Sequence, residues 1–212
     1  MFEEVLPGNA KRALAVLGES GILDDAYLAG GTALALRLGH RVSVDLDFFS
    51  KKEFEEQEVV KRLLSLPLDF ELEKIAWRTI LGYVKKTKFS IFFYDYEWLG
   101  QPEDFSGIKV AAIEDIASMK LLAISDRGTK RDFIDLYFIL ALEKLYSLKD
   151  VLDLYDRKFK VLRQNRMYII KALTYFKDAD EQKMPRMLKE IRWPEVKKFF
   201  ESETKFLVKQ HP

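Results

Sequence analysis

The sequence predicts an α+β protein, with strands and helices mixed over residues 1–110 and helices alone over 111–212. Three observations carry this prediction. Short β-branched or aromatic runs bounded by Gly or Pro are confined to the first half. From Ile113 onward every long segment has helical period. No low-complexity linker separates the two parts, so a mixed-sheet domain (1–110) and a helical domain (111–212) are expected to pack together. A length of 212 residues suits one large domain or two small ones.

The elements follow in order. Asn9 to Leu17 places Ala10, Leu14 and Leu17 at helical spacing and stops before Gly18 and Gly21, a first helix. Tyr27 to Ala29 is a short apolar strand that meets Gly30-Gly31. Thr32 is placed to cap a helix running through Leu34, Leu36 and Leu38 to Gly39. VSVDLDFF, residues 42–49, alternates over its centre and starts β-branched, a strand. A charged amphipathic helix spans Glu53 to Leu66 and ends at Pro67. Strand-like runs follow at Asp69 to Ala76, Thr79 to Lys85 and Lys88 to Tyr94. Pro102 to Gly107 reads as a surface loop, and Ile108 to Ala111 as a short strand.

Composition excludes several chemistries. With no cysteine there are no disulfides, thiolate zinc sites, iron–sulfur ligands or cysteine nucleophile. The two histidines include His211, next to the last residue, which leaves His40 as the candidate imidazole. A bound metal is then held by carboxylates, whose oxygens favour magnesium, manganese or calcium. The longest apolar run, Leu136 to Leu142, is far short of the ~18 residues of a membrane span. The start MFEEVLPGNAKR is acidic and lacks a basic segment leading into an apolar one, so a cytoplasmic location is expected. The net charge of +1 hides an asymmetry: 14 basic against 18 acidic side chains over residues 1–110, and 21 against 16 over 111–212.

The stretch YLAGGTALALRLGHRVSVDLDFFS, residues 27–50, carries the chemistry. A strand that turns into a helix at Gly30-Gly31 lets the backbone approach a phosphate, and the helix start offers N–H groups and partial positive charge. In the next strand Asp45 and Asp47 leave one face while Leu46 and Phe48 enter the core. Two adjacent carboxylates repel each other, and a divalent cation between them removes that cost. The solvent face of an edge strand would place two acids in the same way. Downstream, IEDIASMKLLAISDRGTKRDFIDLYFIL (113–140) sets Lys120 and Arg127 two turns apart on one helix, and Asp132 and Asp135 at i, i+3 on the next.

Gly-Gly followed at one helix's distance by D-x-D resembles the nucleotidyltransferase superfamily of DNA polymerase β type. With HRVSVDLDFF upstream and MKLLAISDRGTKRDFIDL downstream, the chain resembles the AbiEii/AbiGii toxin-like family within it, from Tyr27 to the helical C-terminal end. The resemblance implies a nucleotidyltransferase-like sheet and a metal-dependent transfer of NMP from an NTP to an acceptor, tRNA or protein. It also implies an antitoxin encoded nearby. By the same resemblance Gly30, Gly31 and Thr32 hold the triphosphate, and Asp45 and Asp47 ligate Mg2+ or Mn2+. Lys120 and Arg127 face the nucleotide or acceptor, with Lys130 or Arg131 as further cations, and Asp132 and Asp135 order the basic groups or touch the acceptor. Ser43, two residues before Asp45, is placed to bond a phosphate or the metal shell.

One part of the superfamily pattern is missing. Active members place a third carboxylate on a later strand, as metal ligand and general base. The corresponding run KFSIFFY (88–94) has Ser90 at its centre. Asp95, Glu71 and Glu73 are candidate substitutes. This departure raises an alternative function, a catalytically inactive nucleotide-binding or regulatory module on the same fold. His40-Arg41, before the D-x-D strand, fits either a phosphate contact or a surface loop. Arg157, Lys158, Lys160, Arg163 and Arg166 form the clearest basic cluster, either a solvated face or a surface for an RNA acceptor. The aromatic residues, Phe48, Phe89, Phe133 and Phe138 among them, are expected in the core.

Overall fold

The computed structural model describes residues 1–162 and 166–210, which form two compact units, Met1–Ala112 and Ile113–Pro212. In the first, β1 (Ala26–Leu28), β2 (Leu46–Ser50), β3 (Phe70–Ala76), β4 (Thr79–Val84), β5 (Thr87–Phe93), β6 (Glu103–Phe105) and β7 (Ile108–Val110) make a seven-stranded sheet. Its order is β3-β4-β5-β2-β1-β7-β6. β1 runs antiparallel to β2 and parallel to β7, and β2 is parallel to β5. The sheet is therefore mixed, as the sequence predicts. Helices α1 (Gly8–Ser20), α2 (Gly30–Leu38) and α3 (Glu56–Ser65) accompany it.

The middle of the sheet is its driest part. Leu28, Leu46, Phe48 and Phe89 are fully buried, and the Phe48 and Phe89 rings lie 5.6 Å apart. Each such side chain contributes about 1.5–3 kcal/mol on leaving water, so the strands that carry the motif are the most firmly held. Along β2 burial alternates, with Leu46, Phe48 and Ser50 inside and Asp47 and Phe49 half-buried.

Three local expectations are corrected. β2 begins at Leu46, not at residue 42, because Ser43 N–H donates to the Val5 carbonyl at 3.1 Å and ties this stretch to the N-terminal segment. The helix after Gly-Gly begins at Gly30 with Ala29 at its cap position, so Thr32 lies inside the first turn and is not the cap. The predicted loop from Pro102 to Gly107 contains β6, three residues that pair with β7.

The second unit is helical: α4 (Ile113–Asp126), α5 (Lys130–Tyr137), α6 (Leu148–Lys158), α7 (Arg166–Ala172), α8 (Lys177–Asp180) and α9 (Trp193–Gln210), with a π-helical turn at Phe138–Leu142. Two starts are capped by side chains. Thr129 accepts from Asp132 N–H at α5, and Ser147 with Asp150 forms a capping box at α6. Phe133 is fully buried against Phe176 and Phe200, at ring separations of 5.1 and 5.5 Å.

Candidate functional site

Strand pairing puts the two halves of the upstream motif together. β1 ends beside Asp47, whose carbonyl accepts from Ala29 N–H at 3.0 Å. The next residue, Gly30, has φ of +66°, the left-handed region that glycine adopts without strain. A Cβ at Gly30 would lie 3.5 Å from Asp47 Oδ2, so one carboxylate oxygen faces the turn. On its other flank Asp47 is in register with Ser90 of parallel β5, and Ser90 Oγ donates to Asp47 Oδ1 at 2.5 Å. Ser90 is only 1% exposed. Asp47 is thus held from both sides.

Beneath the turn lies a buried polar layer. Thr32 Oγ1 bonds the Asp45 carbonyl at 2.5 Å and Ser43 Oγ at 2.9 Å. Both side chains are buried, so these hydroxyls brace the residues before β2 against α2. Arg41 and His40 are buried as well, 3% and 0% exposed, which excludes the surface-loop reading. A Cβ at Gly31 would overlap Arg41 Nη2. Gly31 thus leaves space that the Arg41 guanidinium occupies, a contact that sequence reasoning missed because a charged residue in a short loop looks exposed. The nearby pattern Gly-Gly…His-Arg offers no signal of that contact.

The substitutes for a third acid are too far away. Across the sheet Asp47 pairs with Ser90, Ser90 with Leu81, and Leu81 with Lys74. Glu71 and Glu73 on β3 are thus three strands from Asp47, about 14 Å at strand spacing. Asp95 lies beyond the end of β5 at Phe93, a point that pairs with Ser50 and is itself about 10 Å along the strand from Ser90. Among the described residues no group of three His, Cys, Asp or Glu could hold a metal. Asp45 and Asp47 are both half-buried around fully buried Leu46, and Asp47 Oδ2 faces the turn. Carboxylate oxygens of this kind suit magnesium or manganese, which bind through one or two carboxylates plus substrate phosphates.

In the second unit the downstream motif closes on itself. Lys120 Nζ lies 2.9 Å from Asp132 Oδ1 and 2.7 Å from Asp135 Oδ2, with all three side chains buried. Arg127 Nε reaches Asp132 Oδ2 at 3.1 Å, and Thr129 Oγ1 donates to the same oxygen at 2.6 Å. Lys120 is therefore a buried partner of two carboxylates, whereas Arg127, 65% exposed at its side chain, is the cation of this group that solvent reaches. Burial alone would raise the Asp132 pKa. Lys120, then Arg127 and Thr129, outweigh it and hold the carboxyl at about 2, against an ordinary 3.8.

That depression has a sign. Stability from a carboxylate held below its unfolded value is fully present above about pH 4 and is lost as pH falls toward 2, here about 2 kcal/mol. The urea midpoint of the wild type is expected to fall more steeply between pH 4 and 2 than that of Asp132→Asn. Equal slopes in the two proteins would remove this assignment.

Lys130, Lys158 and Arg166 of the second unit are bonded elsewhere. Lys130 is buried, its backbone N–H donates to Gln182 Oε1 at 2.9 Å, its ammonium bonds the Gln182 carbonyl, and it lies 5.2 Å from the Trp193 ring centroid. Its place at the first turn of α5 directs it into the 182–193 segment. Arg131 is exposed. The basic cluster also dissolves. Lys158 is buried in an ion pair with Asp115 at 2.6 Å, and Arg166 bonds Asp153 and Asp156, both at 2.6 Å. Arg157 and Lys160 are exposed, and Arg163 lies outside the described residues.

A mixed sheet in which a Gly-Gly turn ends one strand beside the D-x-D of its antiparallel neighbour defines a nucleotidyltransferase fold. The family model of the nucleotidyl transferase AbiEii toxin, of type IV toxin–antitoxin systems, matches residues 12–76 and 67–205, and the chain belongs to this family. A protein of Aquifex aeolicus (strain VF5) is 37% identical over 207 residues, 94% of this chain and 96% of its own. Among solved structures, JHP933 from Helicobacter pylori superposes with a TM-score of 0.57 at 22% identity, over 97% of this chain and 94% of that one. The nucleotidyltransferase toxin MenT4 of Mycobacterium tuberculosis gives 0.52 at 15% identity, over 95% and 86%. These two likenesses show the shared fold.

Proposed function

We propose that this nucleotidyltransferase of toxin type moves a nucleoside monophosphate from an NTP to a macromolecular acceptor, RNA or protein, and requires a divalent cation held by Asp45 and Asp47. The observation that carries the reading is Asp47, fixed by Ser90 on one side and facing the Gly30 turn on the other. Backbone N–H groups of the first turn of α2 would donate to the phosphates, aided by the partial positive charge of the helix start. Magnesium or manganese bound at the two carboxylates would neutralise phosphate charge and polarise the bond that breaks. Arg127, ion-paired with Asp132, would contribute a cation toward the acceptor, and Lys120 with Asp135 keeps Asp132 in place. The type IV family supports an antitoxin partner, and a cytoplasmic site of action suits an NTP-consuming enzyme.

A second reading, an inactive nucleotide-binding module, is favoured by Ser90 where a third acid would stand. Incubation with α-labelled NTPs, Mg2+ and separate pools of total RNA and protein distinguishes the two. Label is expected on one pool, and on neither with Asp45→Ala. NTP and Mg2+ binding without transfer would establish the inactive module.

A further inference from the structure

We infer that the site holds one divalent cation, not two, and that Ser90 serves as the positioning residue for Asp47 in place of an acid that would bind a second ion. The inference rests on the proposed function and specifies its metal stoichiometry. Ser90 and Asp47 are directly paired on parallel neighbouring strands, so their side chains leave the same face about 4.8 Å apart. A carboxylate at that place would share ions with Asp47. A neutral hydroxyl cannot offset a second dication, and this one already donates its proton to Asp47 Oδ1. The next side chain along the row, across β4, is Leu81, and the acids of β3 lie beyond it.

The hydroxyl has a definite effect on the remaining ligand. By occupying Oδ1 it fixes the rotation of the carboxylate and leaves Oδ2 toward the Gly30 turn, where phosphate oxygens would complete the metal shell. Groups that orient a ligand in this way contribute roughly 10 to 100-fold to metal affinity.

Mn2+ binding followed by electron paramagnetic resonance tests the inference on the full chain. With a saturating non-hydrolysable NTP analogue the wild type is expected to bind one Mn2+ per chain, lost in Asp47→Ala. Ser90→Ala should bind Mn2+ alone roughly 10 to 100-fold more weakly with an unchanged metal-free melting temperature, and Ser90→Thr, which keeps the hydroxyl, should bind as the wild type does. Two Mn2+ per wild-type chain would overturn the inference and leave the proposed function standing. Wild-type affinity in Ser90→Ala would overturn the positioning role. No bound Mn2+, or binding that persists in Asp47→Ala, would remove the proposed function itself. Should Ser90→Ala not fold, the wild-type count and Ser90→Thr still decide the matter.

Discussion

Asp47→Asn is expected to lower NMP transfer by about 10³-fold or more while the protein remains folded. The amide is isosteric, and its carbonyl oxygen can still accept from Ser90 Oγ, so β2 and β5 lose no pairing partner. What disappears is the negative charge that faces the turn. Polyphosphate and the remaining acid, Asp45, would then meet a site with one carboxylate instead of two. Because Asp47 is only half-buried, the amide leaves stability nearly unchanged, and melting curves of the two proteins should coincide within a few degrees. Label transfer within tenfold of the wild type would show that this carboxylate does not hold the metal. The same substitution at Asp45 should have a similar effect on transfer.

Period-two alternation was enough to place Asp47 outward between Leu46 and Phe48, since burial of those two residues leaves a single register. The need for Gly30 was legible too, because a strand-to-helix turn calls for a residue that tolerates positive φ. The start of β2 was not. VSVD has the composition of a strand, but Ser43 spends its N–H on Val5, a partner 38 residues earlier that no local pattern announces. β6 escaped for a similar reason, since three residues beside a proline have too little periodicity to register.

Charged residues were the hardest to place. Spacing put Lys120 and Arg127 on one helix, but α4 ends at Asp126, so Arg127 follows its last turn, and their fates diverge, one buried at 7% exposure and the other 65% exposed. The difference is made by Asp132 and Asp135 on α5, across a turn whose angle the sequence does not specify. Lys130, Lys158 and Arg41 repeat the lesson. Each looks like an available cation in the sequence, and each is buried against a carbonyl, a carboxylate or a glycine. Charge counts for the second half therefore overstate its capacity to meet an anion.

Lys120→Met should cost about 3–5 kcal/mol of stability, the largest such effect predicted for the site. The ammonium serves two carboxylates at once, at 2.9 and 2.7 Å, and Asp135 is fully buried at its side chain. Methionine fills similar space but supplies no charge. Asp132 keeps its bonds to Arg127 and Thr129, while Asp135 loses the ammonium that lies 2.7 Å from its Oδ2. Replacing both ends of that pair, Lys120→Met with Asp135→Leu, removes the buried charge together with its partner and is expected to recover most of the loss. A double-mutant cycle in urea measures the coupling directly. If Lys120 instead acted on the nucleotide without holding α4 to α5, Lys120→Met would abolish transfer with an unchanged urea midpoint, and Asp135→Leu would rescue nothing. Coupled loss and recovery of stability would establish that the second motif contributes through a fixed charge network, with Arg127 as its exposed end.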